Sequence, residues 1–344
     1  MKTIEKSEIK KILVRGPDWV GDFLTATPVY RELRKNFPSA KITAIVRNWT
    51  KGMLEHCPYV DEIIEYDSRN KSIKYSWELV KKLKKEKYGL AILLSGNYNA
   101  ALIAWLAGIK YRAGFNYDKR GHLLTHSLKE TGREYRLDRA VRILEALGLN
   151  IENRNPELWV GPEDEKFAKE TLGGFKAKFH KLIGIGPGTQ EKEKCLLENE
   201  FIQLIDSLVS TEGNNFGIVL FGSKNDIARG EKIIAGVKDK EKVINLINKT
   251  ILNQLAACLK LVDVYITGDT GGMHIAYTVG VPVVAFFGPT DPGEALPQKN
   301  NIKTIWKNPG CSPCTLKKSH QCKTLECINR ITVEEIEKLV TELL

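Results

Sequence analysis

The feature that most restricts the fold is a succession of short apolar runs. Each is too short for a membrane span, most end at polar or glycine-bearing turns, and the series occurs twice. Ile12-Leu13-Val14 opens the first series. Lys41 to Val46, Val60 to Tyr66 and Leu90 to Leu94 continue it. A turn over Gly16 to Gly21 leads into a helix expected from Asp22 to Asn36, and a second helical pattern covers Ile73 to Lys87. The pattern restarts at Leu182-Ile183-Gly184-Ile185. Strand-like runs follow at Phe216 to Phe221, Val243 to Leu246, Val262 to Thr267 and Val281 to Phe287, with a helix over Glu198 to Val209. Strands that alternate with helices build parallel sheets covered on both faces, so the fold class is α/β. Ligands of such sheets bind in the crevice at the carboxyl ends of the strands.

The chain has 344 residues. At roughly 100–200 residues per domain, two domains are expected. Asn153 to Asp164, with two prolines and a glycine, is the linker candidate. The expected division is 1–160, 161–330 and a closing helix over 331–344. In that helix Thr332 and Glu335 form a capping box. Val333, Ile336, Leu339, Val340 and Leu343 make one apolar stripe.

Hydrophobic residues make up 42%, enough for a normal core. No apolar run approaches the ~18 residues of a membrane span. The longest, around Val279 to Phe287, is interrupted by Gly280 and Pro282. Met1 to Lys11 is charged and lacks the apolar stretch of a signal peptide, so a cytoplasmic protein is expected, resting on a membrane surface at most. In a reducing compartment seven cysteines need not pair.

The net charge of +10 favours an anionic partner: nucleic acid, an acidic membrane or a phosphorylated substrate. A mildly basic solvated surface fits it equally well. The six tryptophans and eleven tyrosines show no repeated pairing with Lys or Arg, and no nucleic-acid motif is present, so no nucleic-acid partner is expected. Gly184-x-Gly186-x-Gly188 lacks the final spacing of a dinucleotide fingerprint, which argues against a Rossmann oxidoreductase.

Three turns carry the chemistry of the second half. The strand ending at Thr267 runs into Gly268-Asp269-Thr270-Gly271-Gly272-Met273-His274, where a helix begins. Asp269 or Thr270 can cap that helix, and the glycines let backbone N–H groups approach a diphosphate closely. An ordinary capped helix start explains the same residues. Gly186-Pro187-Gly188-Thr189 precedes this turn and leads to Lys192 and Lys194, and Phe287-Gly288-Pro289-Thr290-Asp291-Pro292 follows it. In the first half, Gly16-Pro17-Asp18-Trp19-Val20-Gly21-Asp22 places Asp22 in a helix's first turn, where an acid is a plausible cap.

Taken in order, these four stretches resemble the heptosyltransferases of glycosyltransferase family 9, with the type II branch nearest. The resemblance implies a GT-B fold: two Rossmann-like domains, the first for the acceptor and the second for the ADP-sugar. It implies an inverting, metal-independent transfer of a heptose from ADP-heptose to the inner core of lipopolysaccharide at the inner membrane surface. A family 9 enzyme using another nucleotide sugar or glycan acceptor is the alternative. By the same resemblance Asp22 is the base, and Thr189 and Lys194 contact the diphosphate with backbone near Thr270 and Gly271. Gly272 and His274 complete the donor motif, and Asp269 holds sugar hydroxyls. Here Lys194-Cys195-Leu196 stands where the family has Lys-Arg-Trp, which keeps Lys192 in play.

Lys110 to Arg142 is rich in positive charge and reads either as a solvated face or as a site for an anionic acceptor sugar. Arg120 and His126, expected in a loop over Tyr117 to Leu128, are the acceptor candidates. The run Lys81 to Lys87 suits a helix C-terminus and could also settle on anionic lipid. Cys311, Cys314, Cys322 and Cys327 could hold a structural zinc. Their spacing is not that of a common zinc ribbon, so free thiols are the favoured expectation and no metal or cofactor is required.

Overall fold

The computed structural model describes residues 4–344 apart from 68, 71, 212, 214 and 315, with the side chains of Lys192, Leu316 and Lys317 also left aside. The chain forms two compact units, Met1–Trp159 and Val160–Leu344.

The first unit is built on β1 (Lys11–Arg15), β2 (Lys41–Arg47), β3 (Glu62–Tyr66), β4 (Leu90–Leu93), β5 (Tyr111–Phe115) and β6 (His126–Leu128). Their order in the sheet is β3-β2-β1-β4-β5-β6. The second unit uses β7 (Lys181–Gly186), β8 (Phe216–Leu220), β9 (Val243–Asn245), β10 (Val264–Gly268), β11 (Val283–Phe287) and β12 (Ile302–Trp306), in the order β12-β11-β10-β7-β8-β9. All pairings are parallel. Counted from its own first strand, each unit has the same order, 3-2-1-4-5-6. Both are therefore Rossmann-like, as the GT-B class requires. The winding reverses between β1 and β4 and again between β7 and β10, which places a ligand crevice at the carboxyl ends of those pairs.

The central strands are covered on both faces, which is why they read as unbroken apolar runs. Every residue of β4, β8, β10 and β11 is buried. In the second unit Ile183, Ile185, Ile218, Ile266 and Phe286 pack against Phe201, Leu204 and Leu208 of the helix Glu198–Ser210. The closing helix, Val333–Leu343, buries Ile336 and Val340 in that same core, with Val333, Leu339 and Leu343 at its margin. Its capping box forms as expected: Thr332 Oγ1 accepts from Glu335 N (3.3 Å), and Glu335 Oε2 accepts from Thr332 N (3.2 Å).

One expectation is corrected, and the linker candidate, Asn153 to Asp164, contains the boundary between the units. The helix expected over 22–36 is two helices, Val20–Thr25 and Thr27–Asn36. Pro28 has no N–H to give the Leu24 carbonyl, and Thr27 Oγ1 takes that acceptor instead at 2.7 Å. The stretch taken as a linker is also more ordered than its prolines suggest. Glu32, fully buried, accepts from Glu152 N (3.0 Å) and Asn153 N (3.3 Å). Arg31 donates to the Asn153 and Asn155 carbonyls, the latter at 3.1 Å, and Thr27 Oγ1 accepts from Glu157 N at 2.8 Å. Residues 152–157 are thus strapped to the helix Thr27–Asn36. Among the described residues, no helix is long and apolar enough to cross a membrane.

Candidate active site

In the second unit the chemistry gathers at the switch point. β7 and β10 lie side by side with Gly186 opposite Thr267, so the turns that follow them start next to each other. Lys194 Nζ lies 3.0 Å from Asp269 Oδ2 and 3.5 Å from Glu191 Oε2. Thr290 Oγ1, from the turn after β11, donates to the same Asp269 Oδ2 at 2.9 Å. Asp269 therefore ties all three turns together. Its side chain is 6% exposed and that of Lys194 13%, so the pair is shielded from solvent.

The helix Gly271–Thr278 starts at this node. Thr270 is its N-cap, in extended backbone (φ −138°), and its hydroxyl accepts from Met273 N at 3.3 Å. First-turn N–H groups have no partner within a helix, and here they include those of Gly271 and Gly272. A Cβ on Gly272 would sit 2.8 Å from Tyr265 Oη. Thr189 is half-buried, its methyl 3.4 Å from where a Cβ on Gly268 would sit, and its hydroxyl donates to the Glu191 carbonyl. Close approach also explains a glycine nearby. A Cβ on Gly188 would sit 1.8 Å from Asp226 Oδ1, whose carboxylate accepts from Ser223 N and Oγ at 2.7 Å each.

Thr189, Lys194, Asp269, Thr270, Gly271 and Gly272 thus come together as expected. His274 is buried in the helix that follows. It is 2% exposed, its Nδ1 lies 3.4 Å from Tyr277 Oη, and the two rings meet edge to face at 5.6 Å.

In the first unit Asp22 lies in the helix Val20–Thr25, at the carboxyl end of β1. Arg136 Nη1, from the start of the helix Arg136–Glu145, is 3.2 Å from Asp22 Oδ1. Asp22 keeps about a third of its side-chain surface open. Beside it, Asp18 is clamped by Arg15 (2.6 Å) and Arg47 (2.8 Å). Burial works against the Asp18 charge, but the two guanidinium groups outweigh it and hold the carboxyl below its ordinary range. Neither Arg136 nor the Asp18 clamp was singled out from the sequence.

The acceptor candidates are corrected. Arg120 and His126 are both fully buried, and the expected loop is a 3₁₀ turn followed by β6. Arg120 donates to the carbonyls of Phe115 (2.9 Å), Ser95 (2.6 Å) and Asn97 (2.9 Å). Burial lowers its pKa to about 10, so it stays charged at neutral pH. His126 Nδ1 lies 3.0 Å from Thr125 Oγ1. Both residues serve the scaffold. Lys192, the alternative to Lys194, has its side chain outside the described structure.

Cys311, Cys314, Cys322 and Cys327 line one small cavity with Glu193 and Glu326, and none of the four is in a disulfide. The segment is pinned to the turn that carries Thr290. Cys314 N donates to the Pro289 carbonyl at 2.7 Å, and Ser312 Oγ donates to the Gly288 carbonyl at 3.2 Å.

Comparison with known proteins identifies the family and the fold. Residues 76–325 match the model of glycosyltransferase family 9 (heptosyltransferase). The chain belongs to that family. It is a glycosyltransferase by the same evidence. It is 30% identical over 314 residues to lipooligosaccharide heptosyltransferase 2 of Haemophilus influenzae, covering 86% of this chain and 88% of that protein. Its fold matches the crystal structure of a family 9 glycosyltransferase from Veillonella parvula (TM-score 0.87, 22% identity, 99% of both chains). It also matches the ADP-heptose lipopolysaccharide heptosyltransferase II of Escherichia coli (TM-score 0.79, 24% identity, 97% of this chain and 98% of that one). The family match begins at residue 76, so Asp22 lies outside it.

Proposed function

We propose that this family 9 enzyme moves a heptose from ADP-L-glycero-D-manno-heptose to the inner core of a lipopolysaccharide, with inversion at the anomeric carbon. The observation that carries this is the convergence of three turns on Asp269, with Lys194 beside it and a capped helix N-terminus next to both. That arrangement offers a cation and backbone N–H groups to a diphosphate, and a carboxylate to sugar hydroxyls. Similarity to lipopolysaccharide and lipooligosaccharide heptosyltransferases supports the choice of sugar and acceptor.

In this scheme the second unit binds the donor and the first binds the acceptor. Asp22 takes the proton of the acceptor hydroxyl as its oxygen attacks the anomeric carbon. The bond from that carbon to the diphosphate oxygen breaks, and its electron pair leaves with ADP. Lys194 and the N–H groups of Gly271 and Gly272 meet the charge that develops there. Arg136 fixes the direction of the Asp22 carboxylate. The scheme assigns no step to a metal, and it puts the enzyme at the cytoplasmic face of the inner membrane, where a lipid-borne acceptor would be.

The test is a donor screen against truncated lipopolysaccharide, read by product mass. ADP-heptose should add one heptose, and other nucleotide sugars should add nothing. Transfer from a different nucleotide sugar, with ADP-heptose inert, would refute the assignment.

A further inference from the structure

The first unit exposes large apolar side chains on the edge that carries Asp22. Trp19 is 58% exposed, Trp49 42%, Ile73 86% and Trp77 50%. They follow the carboxyl ends of β1, β2 and β3, three strands that lie side by side. Trp49 and the start of the helix that carries Ile73 and Trp77 are held in place. Trp49 Nε1 donates to the Asp18 carbonyl at 2.9 Å, and the Arg47 guanidinium lies over the Trp49 ring at 5.0 Å. The helix Ile73–Glu86 starts at a Ser72 cap, whose hydroxyl accepts from Tyr75 N at 3.2 Å. Tyr75 Oη accepts from Asp67 N at 2.9 Å, just beyond β3, and the Tyr75 ring packs on Tyr66.

The same helix supplies charge. It buries Leu79, Val80 and Leu83. Its exposed positions begin with Ile73 and Trp77 and continue through Lys81, Lys82, Lys84 and Lys85, with Lys74 among them and Glu78 as the lone acid on that face. Indole rings have an apolar body and a polar tip, which suits the headgroup level of a bilayer. A basic helix face with apolar residues at one end fits an anionic membrane surface.

We propose that this edge of the first unit is a membrane-docking surface. Trp19, Trp49, Ile73 and Trp77 enter the headgroup layer, and the lysines of the helix Ile73–Glu86 meet anionic lipid. Docking there brings the Asp22 edge to a lipid-borne sugar. The inference rests on the lipid-acceptor function proposed above, and it names the surface that function needs.

The experiment is co-sedimentation of the full chain with vesicles of phosphatidylethanolamine and phosphatidylglycerol. Phosphatidylcholine vesicles serve as the neutral control. Wild type should sediment with the anionic vesicles and much less with the neutral ones. Ile73→Ser/Trp77→Ser and, separately, Lys81→Glu/Lys82→Glu should each bind about tenfold or more weakly. Both variants should keep the wild-type melting temperature and full turnover on a deacylated, water-soluble acceptor, while losing turnover on acceptor embedded in vesicles. Wild-type indifference to anionic vesicles would overturn the proposal, as would variants that bind like wild type. So would self-association lost in the variants without any vesicle binding, which would assign the face to a second copy. If wild type transfers no heptose even to the soluble acceptor, the functional assignment fails instead, and the vesicle result stands apart from it.

Discussion

The two units share a strand order, and their first strands end alike: Gly16-Pro17-Asp18 in one, Gly186-Pro187-Gly188 in the other. The third residue separates them. In the first unit it is an aspartate, clamped by Arg15 and Arg47. In the second it must be glycine, because Asp226 from the turn after β8 already occupies that space. The fourth strands diverge too. After β4 the chain runs through Leu94-Ser95-Gly96-Asn97, and Arg120 fills the space with bonds to the Ser95 and Asn97 carbonyls. After β10 only Asp269-Thr270 intervene before the helix, and Lys194 and Thr290 meet the Asp269 carboxylate there. One scaffold thus yields an edge closed by arginine side chains, with a carboxylate held beside it, and an edge whose turns meet at Asp269, where the proposed donor would bind.

The sharpest way to break this contrast is Asp22→Asn. Turnover should fall about a hundred- to ten-thousand-fold while ADP affinity stays within twofold or so, as expected for a lost general base. Equal loss of ADP binding, by calorimetry, would move Asp22 to the donor's side. Next comes Arg120→Ala. It strands buried carbonyls in the first unit, and a denaturant titration should show a loss of about 3 kcal/mol or more. A soluble variant with wild-type stability and weakened acceptor KM would return Arg120 to the acceptor. Lys194→Ala should lower kcat/KM for the donor about 10- to 100-fold, the scale of one or two charge-assisted bonds. An unchanged value would transfer the role to Lys192. The smallest effect belongs to Asp18→Asn, about 1 kcal/mol at neutral pH. The folded pKa of Asp18 lies below its unfolded value. Its contribution is therefore complete above the unfolded pKa and is lost as pH falls through the folded one. The stability gap between wild type and variant should close in acid, below about pH 4. A gap that persists there would show that the clamp acts through packing.

The buried central strands were legible because burial on both faces leaves only apolar residues. β5, β6 and β12 were not. β5 holds Arg112 and Gly114, β6 has three residues, one of them His126, and β12 at the sheet edge interleaves Lys303 and Thr304 with its apolar residues. The turns of the proposed donor site were legible because their glycines and polar residues are contiguous in sequence. Arg136 was not, since its partner Asp22 lies far away in the chain, at the end of another strand. Arg120 misled for a related reason. Charge predicts exposure unless something inside accepts it, and backbone carbonyls leave no mark in a sequence.

The strap over residues 152–157 has a practical consequence for anyone dissecting the enzyme. Although it resembles a hinge in composition, it completes the coat of the helix Thr27–Asn36. Expressed alone, the amino-terminal half should be cut after Trp159. A cut near residue 150 would leave Glu32 and Arg31 as a buried pair stripped of the amides and carbonyls that now surround it, and the fragment would lose much of its cohesion.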